Sequence, residues 1–139
     1  MNRAERRLAA LLRAVGLLDL GALLAVLLPG EWMAEIHLAL GLGELPQAPI
    51  VAYLTRSASA VYALHGAVLL LAATDVRRYE RLIAVLAYGA IAIGLVLAAI
   101  DLFARMPLWW TLVEGPLYVL FGVGALGLRK VGGRRGRAS

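Results

Sequence analysis

Cysteine is absent from the 139 residues of this chain, and charged side chains make up only 17% of it. Without cysteine there are no disulfides, iron–sulfur clusters or thiol chemistry. A soluble domain has about 25% charged and about 45–50% apolar residues. This chain is 62% hydrophobic, with a mean hydropathy of +0.81. The composition excludes a disordered segment and a disulfide-stapled module, and it predicts one membrane domain rather than a water-soluble globule.

Signatures of catalysis and of nucleotide binding are missing as well. The sequence has no paired histidines or carboxylate–histidine spacing typical of a metal site, no G-x-S-x-G elbow and no glycine-rich phosphate loop. A bis-histidine haem needs two imidazoles at membrane depth, and only His65 lies in a predicted span. The sequence therefore predicts no cofactor and no bound metal, and it favours a protein that is not an enzyme.

Four apolar segments are long enough to cross a bilayer, which takes about 20 residues at 1.5 Å rise each. Hydrophobicity is continuous around each segment, as is typical of helices surrounded by lipid and by one another. The first lacks a small-residue cleavage site, which favours a retained helix over a signal peptide. We expect an all-α membrane protein, a four-transmembrane-helix bundle within residues 1–130. The predicted spans are about 8–28, 50–74, 81–101 and 107–128.

The basic residues predict the orientation of the chain. Lysine and arginine are enriched in the cytoplasmic loops of membrane proteins. Only Arg56 and Arg105 fall on the side opposite to the other 12 of the 14 basic residues. We expect both termini in the cytoplasm of a bacterial inner membrane. The 12 are Arg3, Arg6, Arg7, Arg13, Arg77, Arg78, Arg81, Arg129, Lys130, Arg134, Arg135 and Arg137.

The segment between the first two spans has a helical pattern of its own. Apolar residues recur there at helical spacing, with two glutamates on another face: Trp32, Met33, Ile36 and Leu40 against Glu31 and Glu35. This pattern predicts a short helix over residues 31–42 that lies in the membrane interface, with its tryptophan at headgroup depth. The segment is either a cover over the bundle or a lid over a site.

The C-terminal residues 131–139 are rich in glycine and arginine. We expect a disordered basic tail close to anionic lipid. The tail has no aromatic residue to stack on bases, which argues against a nucleic-acid partner.

Ionisable residues at membrane depth are costly and therefore mark candidate sites. Arg56 in the second span and Glu114 in the fourth each lie about 9 Å below the outer boundary at 1.5 Å per residue. Opposite charges at equal depth are expected to pair, because each alone costs several kcal/mol in hydrocarbon. Asp101 and Arg105 can extend this pair. Trp109 and Trp110 predict either an interfacial anchor or a ligand-stacking platform above Glu114.

A second polar layer is predicted deeper in the membrane. Asp19 lies about 16 Å and His65 about 13 Å above the inner boundary, within one helical turn of each other. Tyr62, Tyr88 and Tyr118 fall at nearby heights. Such a layer either holds or relays a proton, since histidine titrates near neutral pH, or it is a satisfied structural pair.

Small residues form a ridge on each of two spans. Ser59, Ala63 and Ala67 repeat every four residues in the second span, and Ala90, Gly94 and Ala98 do so in the third. Ridges of this kind allow close approach of helix backbones. We expect the second and third spans to pack closely, with Ser59 and Tyr62 on a polar face between Arg56 and His65.

Three stretches resemble a family of small bacterial four-helix membrane proteins: 56–66 (RSASAVYALHG), 75–79 (DVRRY) and 106–116 (MPLWWTLVEGP). The resemblance covers most of the chain, implies the four-helix architecture and brings no catalytic or binding residue with it. In size and helix number the chain is also similar to the small multidrug transporters, in which an acid in the first helix carries protons. Asp19 is at the corresponding height, but it is an aspartate where they have glutamate.

Three functions follow from these features, in order of preference. The first is a scaffold, accessory subunit or small binding module with a buried polar core, whose partners are lipid and a larger membrane protein or further copies of itself. The second is a proton-coupled transporter or small-molecule binder with an outward-facing polar cavity. The third is a membrane enzyme. The candidate binding residues are Asp19, Arg56, Ser59, Tyr62, His65, Asp101, Trp109, Trp110 and Glu114.

Overall fold

The structure of the chain is a computed structural model that describes the backbone of residues 1–136 and the side chains of residues 1–132. This part of the chain is helical and contains no strand. Its helices are α1 Arg3–Gly21, α2 Leu23–Leu27, α3 Gly30–Ala39, α4 Pro49–Ala72, α5 Glu80–Ala104 and α6 Leu108–Gly136.

Four helical stretches are long and apolar enough to cross a membrane. The first consists of α1 and α2, which are separated only at Ala22, and the others are α4, α5 and the first 25 residues of α6. The prediction of an all-α chain with four candidate membrane spans is confirmed. A short helix, α3, also occupies the predicted segment between the first two spans, over Gly30–Ala39.

The chain divides into two compact units. The terminal unit consists of Met1–Ala14 and the chain from Leu69 onward, and the inner unit is Val15–Val68. The division falls within α1 and within α4, so each of these helices contributes to both units.

Close contact between α5 and α6 organises the terminal unit. A Cβ atom added to Gly94 would lie 2.6 Å from the carbonyl oxygen of Gly115, and one added to Gly115 would lie 2.6 Å from that of Gly94. Two turns away, Gly122 faces the carbonyl oxygen of Ala87 equally closely. The small-residue ridge of the third span therefore packs on the fourth span, whereas we expected it to face the second.

The connection between α5 and α6 is tight. Arg105 ends α5 in the left-handed conformation, with φ of 54°, and the backbone N–H of Met106 donates to the carbonyl oxygen of Asp101 at 2.9 Å. Pro107 lies directly before α6. Proline has no backbone N–H, and this loss costs least at a helix start, where N–H groups have no helical partner.

The N-terminus of α1 is fixed by a reciprocal cap. The backbone N–H of Glu5 donates to Asn2 Oδ1 at 2.9 Å, and the N–H of Asn2 donates to Glu5 Oε2 at 2.8 Å. Arg77 then donates twice to the same carboxylate, from Nε at 2.8 Å and from Nη2 at 3.1 Å. This hydrogen-bonded carboxylate raises the pKa of Arg77. The cluster joins the start of α1 to the turn between α4 and α5.

The predicted basic tail begins at residue 131, and its disorder stays a prediction. Helix α6 continues to Gly136, and residues 137–139 lie outside the described residues. The Asn2 amide donates to the carbonyl oxygen of Gly132 at 3.2 Å, and Gly132 is buried beside Glu5. This contact, which sequence periodicity does not show, gives Gly132 a packed neighbour.

Replacement of Gly94 by alanine is expected to destabilise the protein by about 1–3 kcal/mol, because the new methyl group meets the backbone of α6. The matched control is Gly89→Ala on the same helix, where a Cβ has nothing within 4 Å. That change is expected to be neutral or stabilising, since alanine favours helix by about 1 kcal/mol over glycine. Thermal unfolding in detergent measures both, and equal melting temperatures would contradict the α5–α6 contact.

Candidate functional site: the buried polar residues

Asp19 and His65 are in contact in the inner unit. Asp19 Oδ2 lies 2.8 Å from His65 Nδ1, and their side chains are only 12% and 27% exposed. The sequence predicts that these two residues lie at nearly the same level on different helices. The structure brings them together, on α1 and α4.

A close approach of two backbones makes this contact possible. A Cβ atom added to Gly66 would lie 2.5 Å from the carbonyl oxygen of Gly16 and 2.6 Å from the backbone nitrogen of Leu20. Gly66 is next to His65, and Asp19 is next to Leu20. The absence of a side chain at Gly66 therefore lets α4 approach α1 closely enough for the carboxylate to reach the imidazole.

The contact fixes which ring nitrogen of His65 faces Asp19. An ionised carboxylate only accepts hydrogen bonds, so Nδ1 is the donor to an ionised Asp19. This leaves Nε2 as the acceptor of a neutral ring or as the second donor of an imidazolium. The pair can accordingly orient the ring, and it can hold one proton between two titratable groups.

Ser59 and Tyr62 precede His65 on α4, and both are half-buried. Within residues 15–68 neither side chain forms a hydrogen bond. Tyr88 is exposed on α5, and Tyr118 is half-buried on α6. The structure therefore supports the Asp19–His65 contact itself and gives no hydrogen-bonded path to it through Ser59 or Tyr62 in the inner unit.

Arg56 is held near the start of α4. Its Nη2 donates to the carbonyl oxygen of Leu28 at 3.3 Å, and within residues 15–68 it forms no ion pair. Leu28 follows the last residue of α2 and lacks a helical partner for its carbonyl, so the guanidinium caps that helix end. The pairing of Arg56 with Glu114 stays a prediction.

Glu114 belongs to an aromatic cluster at the start of α6 in the terminal unit. The indole N–H of Trp110 donates to Glu114 Oε2 at 2.7 Å, one turn along the helix. Trp109 packs edge-to-face on Trp110, with ring centroids 5.3 Å apart and planes at 79°. The indole of Trp110 thus orients the carboxylate, a role that the i, i+4 spacing could have revealed.

Asp101, near the end of α5, is a buried carboxylate with an unsatisfied oxygen. The residue is 4% exposed, and its Oδ2 is the one buried side-chain nitrogen or oxygen in the described residues without a hydrogen-bond partner. Such an atom is costly unless it gains a proton, a water or another partner. Asp101 therefore remains a candidate polar site in the terminal unit.

Sequence reasoning missed the cluster around Glu5 and Arg77. The Asn2-x-x-Glu5 spacing resembles a capping box, with asparagine in place of serine or threonine, and was a usable signal for the cap alone. Arg77 is 72 residues away, and no local pattern reveals that contact.

A cavity of about 60 Å³ lies beside the Glu5–Arg77 cluster. It is bounded also by Glu80 and Arg129, whose Oε1 and Nη2 atoms are 3.0 Å apart. Its size suits water.

Among the described residues, no three histidine or acidic side chains lie close enough together to hold a metal ion. Comparison with protein-family models, with curated proteins and with solved structures finds no significant match to this chain. The family resemblance of the stretches 56–66, 75–79 and 106–116 therefore stays a prediction. The function of the chain is inferred from its own residues.

The Asp19–His65 contact is expected to stabilise the protein with a coupling energy of about 1 kcal/mol, as buried hydrogen bonds between membrane helices do. Asp19→Leu and His65→Leu each leave one polar group without its partner, whereas the double variant leaves neither. Reversible unfolding in mixed micelles should therefore show the double variant to be more stable than the sum of the single losses predicts.

The control cycle for this measurement pairs Asp19→Leu with Ser59→Ala, because Ser59 lies on the same helix as His65 and makes no side-chain hydrogen bond within the inner unit. Additive losses are expected in this cycle. Additive losses in the Asp19–His65 cycle as well would show that the contact contributes nothing to stability.

Proposed function

We propose that this chain is a small, non-enzymatic protein of a bacterial inner membrane that serves as a scaffold, an accessory subunit or a small binding module. Both termini then lie in the cytoplasm, and α3 lies in the opposite interface. The orientation is supported by the charge distribution, since 12 of the 14 basic residues fall on one predicted side. The short length of α3 and its tryptophan support its interfacial position.

The observation that carries this proposal is the Asp19–His65 hydrogen bond at 2.8 Å, next to the contact of Gly66 with the backbone of α1. Each of the two polar groups has the other as a hydrogen-bond partner within the inner unit, and the contact also joins two helices. In the terminal unit, Glu114 is similarly bound by Trp110. Such pairs are what a helix scaffold in lipid requires, because unpaired polar groups are costly there.

The helices also present large apolar side chains on their outer faces. Phe103 on α5 is 91% exposed, and Leu18 and Leu27 in the first span are exposed too. In a membrane these side chains contact lipid or the helices of a partner. A scaffold or accessory subunit would use them for the partner.

The second candidate, a proton-coupled transporter or small-molecule binder, is favoured by one observation. The Asp19–His65 pair joins two titratable groups in a mostly buried position, as a proton site would. A self-sufficient transporter needs no larger partner, so the search for such a partner separates the two candidates.

The orientation can be tested by cysteine labelling, for which the chain offers a natural background without cysteine. Glu44→Cys lies between α3 and α4 and Thr74→Cys between α4 and α5, and both positions are exposed. In intact spheroplasts a membrane-impermeant maleimide is expected to label Glu44→Cys, and to label Thr74→Cys only after permeabilisation. The reverse pattern would overturn the proposed orientation.

Photo-crosslinking tests the accessory role. A benzophenone amino acid at Phe103 or Leu27 is expected to give one discrete adduct with a larger membrane protein in native membranes, because these side chains project outward. The same amino acid at Ala125, which is fully buried, should react within the chain. If Phe103 and Leu27 give adducts only with lipid or with the chain itself, the accessory proposal fails and the transporter or binder is favoured.

A further inference from the structure

A cavity of about 120 Å³ lies in the inner unit between α3, the segment that follows it and the first two turns of α4. It is large enough for several water molecules or for a small charged group. Its walls include Met33 on α3, Leu45 and Pro46 in the connecting segment, and Val51 on α4. These residues are apolar, whereas Arg56 and Gln47 also line the cavity.

The polar part of the lining carries a positive charge. Arg56 is the one charged residue among those that line the cavity, and no acidic side chain lines it. Its guanidinium carries five N–H donors, of which one donates to Leu28 at 3.3 Å, and it forms no ion pair within the inner unit. Donors therefore remain for an anion, and a guanidinium binds phosphate and carboxylate oxygens in a geometrically matched way.

Two further groups at the cavity can donate hydrogen bonds. The Gln47 amide uses one N–H for the carbonyl oxygen of Leu45 at 3.1 Å and keeps a second. Gly30, the first residue of α3, also lines the cavity, and this helix start has no side-chain cap. Unpaired backbone N–H groups at a helix start add favourable partial charge near an anion. These donors supplement Arg56, which is the main anion-binding group of the cavity.

We infer that this cavity binds the phosphodiester headgroup of an anionic phospholipid, with Arg56 as its principal contact and the apolar walls against the glycerol and the first acyl carbons. Arg56 lies two turns into a helix that is long enough to span the membrane, so the cavity is within reach of lipid. A soluble anion would gain nothing from apolar walls. The inference gives the binding module a ligand class and rests on the membrane location, whatever the orientation of the chain.

Native mass spectrometry of the full chain in detergent, titrated with phosphatidylglycerol, tests the inference. The chain is expected to retain phosphatidylglycerol in preference to zwitterionic phosphatidylcholine. Arg56→Gln is expected to weaken phosphatidylglycerol retention by about tenfold, as the loss of a charge-assisted contact does. The matched control is Arg105→Gln, since Arg105 is the other basic residue on the same predicted side and does not line the cavity.

A second variant leaves the charge in place. Ala52→Phe adds bulk at the cavity wall, on an exposed helix position, and is expected to reduce retention to a similar degree without loss of melting temperature. If Arg56→Gln does not fold, Ala52→Phe tests whether the cavity binds phosphatidylglycerol. Equal retention of the two lipids, or equal losses for Arg56→Gln and Arg105→Gln, would overturn the inference.

Soluble glycerol phosphate separates lipid from free anion as the source of the phosphate. At equal phosphate concentration it is expected not to displace phosphatidylglycerol. Displacement would overturn the lipid assignment. Failure of the lipid titration leaves the cysteine labelling and the crosslinking unaffected, so this inference and the proposed function fail separately.

Discussion

Inside a bilayer, water does not hydrogen-bond to polar groups, so each one has to find its partner in the protein. This constraint explains why several polar side chains in the described residues have a partner within the protein. Asp19 bonds His65, Glu114 is bound by Trp110, and Arg56 caps the carbonyl of Leu28. Asp101 differs, because one buried oxygen of its carboxylate has no hydrogen-bond partner, and it is a candidate for that reason. The helices supply their own backbone hydrogen bonds, and the Asp19–His65 bond joins α1 to α4.

The helices pack against one another through close contact of their backbones. Hydrocarbon side chains gain little from leaving lipid for one another, so packing between membrane helices depends on van der Waals contact and on hydrogen bonds. Glycine permits both. At Gly94 and Gly115 two backbones touch, and at Gly66 a similar approach places an imidazole beside a carboxylate. A single added methyl group at such a position therefore affects packing and, at Gly66, a polar contact as well.

The sequence predicted those features that depend on composition or on rise per residue. Four spans followed from apolar length, and the proximity of Asp19 to His65 followed from counting 1.5 Å steps along two helices. The sequence did not show which helix packs on a ridge of small residues. Gly94 indicates that another backbone approaches closely, but its neighbour, α6, is known only from the structure. The hydrogen bond between Glu5 and Arg77 joins residues 72 positions apart, and no periodic pattern in the sequence indicates it. The contact of Gly132 with Asn2 is equally remote in the chain.

That last contact has a consequence for biosynthesis. Asn2 leaves the ribosome 130 residues before Gly132, which accepts the hydrogen bond of its amide. The reciprocal cap with Glu5 can form as soon as α1 exists, but the hydrogen bond to Gly132 forms only after α4, α5 and most of α6 have been translated. The start of α1 therefore keeps one donor free while these later helices are made.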